Sequence, residues 1–287
     1  MINFTPTVSQ LKMLAALRGN LWMVHESSAV ELALSALELS EKLGSRESMW
    51  TDDELADYYT IRKAAHIDSN GIGHIEIRGA LMLETKPIYE RVGMAIRYST
   101  IATETNALVE SGARGIIYSI RSPGGTVVGN VETAELIAGL PIPTVGFCDG
   151  LSCSAAYKLL AGMSSIIATK SAIVGNIGTI LSWADCSEFW QKWGVNFKAI
   201  VSENATLKST FHLEPNDEQL QFLQESINES GAAFRAHVEA GRTNAGATLD
   251  PDVWKAGWYS GEKAYALGLI DGIGTKEDAA SLLLDIS

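Results

Sequence analysis

The sequence predicts an α/β chain with a largely parallel sheet, preceded by a helical arm. Three observations carry this reading. From about Gly71, short β-branched runs alternate with longer segments of helical spacing, the pattern of strands joined by helical crossovers. The clearest run, Gly115-Ile116-Ile117-Tyr118-Ser119-Ile120, is bounded by turn residues and reads as a buried strand. Residues 1–65 lack this alternation. There, Val8 to Leu17 and Ala29 to Leu43 carry Leu and Ala at helical spacing around Arg18-Gly19-Asn20. Ser45 to Asp57 is polar and acidic, with Trp50 isolated in it. The expected division is an arm and linker over 1–65 and a folded domain over 66–287.

Within the domain, Gly73 to Ile77 is expected as a strand and Tyr89 to Leu108 as a helix with Val92, Ile96, Ile101 and Leu108 inward. After the Gly115 strand comes the turn Arg121-Ser122-Pro123-Gly124-Gly125, then a helix over Val131 to Ala138 and a strand over Pro141 to Phe147. Asp149-Gly150 turns the chain into a helix carrying Tyr157, Leu159 and Leu160. Ser165 to Thr169 and Gly175 to Leu181 read as short strands, Cys186 to Trp193 as a helix and Phe197 to Val201 as a strand. Glu218 to Ala240 is a long helix with Leu220, Leu223, Ile227, Phe234 and Val238 on one side. Asp250-Pro251-Asp252 starts a helix, and Trp254 and Trp258 are expected in the core.

Composition sets limits. The chain has 287 residues, 46% apolar and 20% charged, enough for a sizeable core. A net charge of −12 without a basic run opposes nucleic-acid binding, which depends on clustered Lys and Arg. Three cysteines, Cys148, Cys153 and Cys186, do not form a disulfide framework and indicate a reducing compartment. No stretch reaches the roughly 18 to 20 apolar residues of a membrane span, and no secretory signal is visible. A soluble, cytoplasmic protein is expected. No histidine or carboxylate cluster has metal-ligand spacing, and no cofactor is implied.

The chemistry centres on Ser154. A serine at a strand-to-helix corner stands beside unpaired backbone N–H groups of the first helical turn, which stabilise charge developing on a bound carbonyl. Ala155 and Ala156 are too small to shield it. The plain alternative is that Ser152 and Ser154 cap a buried helix. Ser122-Pro123-Gly124-Gly125 is a turn that lets a substrate backbone approach closely and aims an N–H into a cleft. Read alone, Pro-Gly-Gly favours a plain tight turn. A serine nucleophile needs a base, and no histidine lies between Ser154 and Val201. Lys208, among Thr206, Leu207 and Phe211, serves if it is desolvated, since burial lowers a lysine pKa by up to about 3–5 units from about 10.4. Lys208 also reads as an ordinary surface lysine, and His212 stays in reserve.

The ordered set formed by Ser122-Pro123-Gly124-Gly125, Ser154-Ala155-Ala156-Tyr157, Val174-Gly175-Asn176-Ile177-Gly178-Thr179 and Lys208 resembles the signal peptide peptidase A family of Ser/Lys peptidases, and within it the phage head-maturation proteases. The tail Trp258 to Ala264 followed by Leu267-Gly268-Leu269-Ile270-Asp271 is similar to that family's closing pattern. The resemblance implies a Clp-protease or crotonase-like spiral of ββα units. It implies Ser154 as nucleophile, Lys208 as base, and N–H groups of Gly124 or Gly125 and of Ala155 as oxyanion donors, with Thr179 orienting the lysine. It implies polypeptide substrates, scaffold and capsid proteins among them, removal of the chain's own arm, and a homo-oligomer in which Lys208 serves a neighbour's Ser154. Arg121, where many members are acidic, and Ala155-Ala156 in place of Gly-Gly depart from the pattern. A signal-peptide-degrading enzyme of the same family, a silent assembly scaffold and an acyl-CoA enzyme on the same fold are the alternatives.

Overall fold

Parallel strands covered on both faces need continuous apolar runs, and β6 (Gly115–Arg121) supplies one, with only Ser119 and Arg121 reaching the surface. In the computed structural model, which describes residues 22–24, 61–182, 187–208 and 214–287, β6 is central to a six-stranded sheet of order β13-β10-β8-β6-β3-β2. Its other members are β2 (His66–Ile67), β3 (Ile72–Arg78), β8 (Thr144–Cys148), β10 (Ser165–Ala168) and β13 (Gly272–Ile273). All neighbours run parallel except the β2–β3 pair.

Each long strand is followed by a short one that leaves this sheet. β4 (Ala80–Met82), β7 (Gly124–Thr126), β9 (Leu151–Cys153) and β11 (Ile173–Gly175) follow β3, β6, β8 and β10. They form two smaller sheets, β1-β7-β4-β5 and β12-β11-β9, with β1 at Trp22–Val24, β5 at Ala95–Arg97 and β12 at Trp258–Ser260. Helices return the chain: α1 (Pro87–Arg91), α2 (Tyr98–Glu110), α3 (Asn130–Ala138) and α4 (Ala155–Ala161). This succession is the expected spiral of ββα units.

The main core lies between the large sheet and helices α2 to α4. It joins Ile75, Ile77, Tyr118, Ile120, Ile137, Tyr157, Leu160 and Ile166 with Phe234 and Val238 of a long later helix. The sheet's other face meets Ala279 and Leu283 through Ile72, Ile117, Val145, Phe147 and Ile167. The later helices are α5 (Ser187–Lys192), α6 (Asp217–Asn244), α7 (Gly261–Ala266) and α8 (Lys276–Ile286). Among the described residues no helix is long and apolar enough to cross a membrane.

Several expectations need correction. The helix expected over Tyr89 to Leu108 is α1, β5 and α2, because Gly93 at φ 68° turns the chain between them. Gly175 to Leu181 is strand only up to Gly175, and Asn176 at φ 57° ends the pairing. Among the described residues Phe197 to Val201 pairs with no strand, and Lys198 to Val201 are exposed. Trp258 is largely exposed, whereas Trp254 packs on the core. Asp250 does start a helical turn, accepting from the Asp252 N–H. The expected helices Val8 to Leu17 and Ala29 to Leu43, Cys186, and His212 lie outside the described residues.

Candidate active site

The corner at Ser154 is built by hydrogen bonds that leave its backbone little choice. β9 is fastened to the end of β6: the Ser122 N–H donates to Leu151 O, the Cys153 N–H to Ser122 O, and Ser152 Oγ to Ile120 O. The Ser154 N–H donates to Gly175 O at 2.8 Å, and Ser154 O already accepts the first helical bond, from Lys158 N at 3.0 Å. Between these anchors Ser154 adopts φ 56°, ψ −123°, a conformation costly for any residue with a Cβ. Strain of this kind persists where surrounding structure over-determines it. Ser154 is fully buried, and its hydroxyl donates to Gly178 O at 3.4 Å.

Opposite the corner lies β7. Gly124 takes φ 107° and donates its N–H to Ser122 Oγ at 3.2 Å. Gly125 is fixed by crowding, because a Cβ there would overlap the Leu81 carbonyl of β4. Asn130, buried at the start of α3, donates through Nδ2 to Ala155 O at 3.1 Å and so ties the first residue of α4 in place. Tyr98 Oη donates to Thr126 O at 2.6 Å, holding the far end of β7. β7 and the helix that begins at Ala155 thus pack side by side.

Lys208 is not brought to Ser154 by a hydrogen bond within this chain. It stands exposed at the end of a turn, its N–H donating to Ala205 O, and its carbonyl accepts from Gln219 Nε2 on α6. Gln219 Nε2 also donates to Thr206 O, which fixes the turn to the helix start. Thr179 Oγ1 lies 3.3 Å from Ser230 Oγ of α6.

Two neighbouring nucleophiles are silenced. Burial pushes the Cys148 and Cys153 thiols up, so they stay protonated and unreactive. The sequence reading passed over Lys158. It is almost wholly buried, its ammonium lies over the Phe234 ring at 5.8 Å, and burial lowers its pKa while Glu135 and Glu132 pull the other way. These partners lie on α3 and α6. A charged residue amid Ala-Ala-Tyr and Leu-Leu-Ala was the available signal. Arg121 also gains a reason: its guanidinium forms a two-point pair with Asp149, joining the ends of β6 and β8. A cavity of about 310 Å³ beside it is lined by His66, His74, Glu76, Arg121, Asp149 and Lys276, among others, and not by Ser154.

A parallel α/β spiral with a strained serine at a strand-to-helix corner, facing a glycine strand, is an arrangement suited to acyl transfer. The chain belongs to peptidase family S49, whose model matches residues 140–285 and so spans Ser154 and Lys208. It is 32% identical over 178 residues to a putative protease of Methanocaldococcus jannaschii, covering 61% of this chain and 56% of that one. A putative protease of Synechocystis is 29% identical, covering 72% and 71%. The capsid assembly protease C of Escherichia phage lambda is 26% identical, covering 75% and 49%. The chain therefore spans between about half and about seven tenths of these relatives' lengths.

Proposed function

We propose that the protein is a serine endopeptidase in which Ser154 is acylated and Lys208 is the base. The observation that carries this reading is the Ser154 corner, where a buried serine holds a costly backbone conformation beside main-chain donors. In the reaction the uncharged Lys208 amine accepts the Ser154 proton as Oγ attacks a peptide carbonyl. The oxyanion faces the Ala155 N–H and that of Gly125, the better of the two glycines because the Gly124 N–H is taken by Ser122 Oγ. The resulting ammonium protonates the leaving amine, and water then releases the acyl group, with the lysine again as base.

An exposed Lys208 is supplied from a neighbouring copy. Leu207, Ile200 and Val201 near it, and Phe222 on α6, are all exposed, and apolar surface of this kind marks an interface. Assembly would desolvate the amine as the mechanism requires. The substrates on this reading are polypeptides. The likeness to a capsid assembly protease favours scaffold and capsid proteins, within a host cytoplasm or a prohead.

Casein or a capsid scaffold protein is cleaved by the parent and not by Ser154→Ala or Lys208→Ala. Co-expression of those two inactive chains restores cleavage, because mixed assemblies pair an intact serine with a neighbour's intact lysine. A Ser154→Ala chain that cleaves as fast as the parent would end the assignment.

A further inference from the structure

A strand from far upstream is laid along the glycine strand of the site. β1 pairs antiparallel with β7, placing Trp22 opposite Thr126, Met23 opposite Gly125 and Val24 opposite Gly124. Among the described strands β7 has two neighbours, β1 and β4, and without β1 it would be the end of its sheet. An edge of two glycines and a threonine presents N–H and C=O groups with little side chain, so it accepts extended main chain with little regard for sequence.

The seat lies beside the segment that carries the nucleophile. Ser122 and Ser152 form a parallel bridge, two residues before Gly124 and two before Ser154, and the helix that follows Ser154 packs against β7. Val24 lies across from Gly124 on the open edge of that strand. In this state Gly124, Gly125 and Ser154 are all buried, as a filled groove requires.

Resting on the peptidase reading above, we infer that Trp22–Val24 is a resident occupant of the substrate seat, one that an incoming polypeptide must displace. The hold is weak enough for exchange, because an isolated three-residue strand pairing is marginal in water. The occupant therefore raises the apparent KM and leaves kcat unchanged.

The test uses the full chain carrying Met23→Pro together with Val24→Pro. Alternate residues of an antiparallel strand bond to the partner, so one of the two prolines deletes a bonded N–H. The expected result is a KM for casein-derived peptides lower by roughly five- to thirtyfold, the ratio for one to two kcal/mol of lost hold, with kcat unchanged. Hydrogen exchange across Gly124–Thr126, measured in a Ser154→Ala background, should be slow in the unmodified segment and fast with the prolines. Equal exchange in both overturns the inference whatever the activity. Faster exchange with an unchanged KM overturns it as well, since β1 would then lie outside the substrate's path. If neither chain cleaves anything, the peptidase reading fails, and the exchange measurement still decides whether β7 is occupied.

Discussion

Replacing Ser154 with glycine should stabilise the protein while abolishing its activity. At φ 56°, ψ −123° the serine Cβ costs about 1–3 kcal/mol, which glycine does not incur. Against this stands the greater freedom of glycine in the unfolded chain, about 0.5–1 kcal/mol. The 3.4 Å hydroxyl contact to Gly178 O is also lost. The balance is a gain of roughly 0.5–2 kcal/mol, or about 1–8 °C in Tm for a domain of this size. Ser154→Ala is the control, because it removes the hydroxyl and keeps the strain. At an ordinary position alanine is more stable than glycine, and here the order inverts. Urea midpoints and thermal unfolding of the two inactive variants measure the difference directly. The reasoning is refuted if Ser154→Ala is the more stable of the pair.

Three further outcomes follow from particular contacts. A Cβ at Gly125 would stand 2.5 Å from Leu81 C and 2.7 Å from Leu81 Cα, so Gly125→Ala forces β7 from β4 by on the order of 1 Å, a displacement that costs about 10²-fold in rate. Peptide hydrolysis by a chain with unchanged circular dichroism checks it, and a near-parental rate contradicts it. Asp271→Ala strands the fully buried Arg242, which donates to both Asp271 carboxylate oxygens, and should cost about 3–5 kcal/mol in urea unfolding. Burial raises the Tyr98 pKa. The unfolded chain therefore binds fewer protons above about pH 10, and stability falls as pH rises there. Tyr98→Phe should show a shallower loss between pH 9 and 10.5 than the parent.

The sequence disclosed what long, strongly patterned segments encode. β6 was legible because seven residues are buried almost throughout, and the Ser154 corner because a strand, an Asp-Gly turn and small residues leave few other shapes. β4, β7 and β9 are three residues each, too short for any period to emerge, and two of them hide in what reads as a turn. β5 was absorbed into one helix because Val92, Ile96 and Ile101 keep helical spacing across the break. The helix α8 escaped although Thr275 and Asp278 form a reciprocal cap at its start, since the reading stopped at Ile273. Chemistry within one corner was local and readable. The surroundings of Lys208 were not, because an exposed side chain on a turn leaves no pattern in the sequence.

The most direct measurement is mass mapping of an alkyl phosphonate that reacts with activated serines. The assembled parent should carry one adduct per chain, on Ser154, and Lys208→Ala should lose it while remaining folded. An adduct on another residue, or full labelling of Ser154 without the Lys208 amine, would contradict the account.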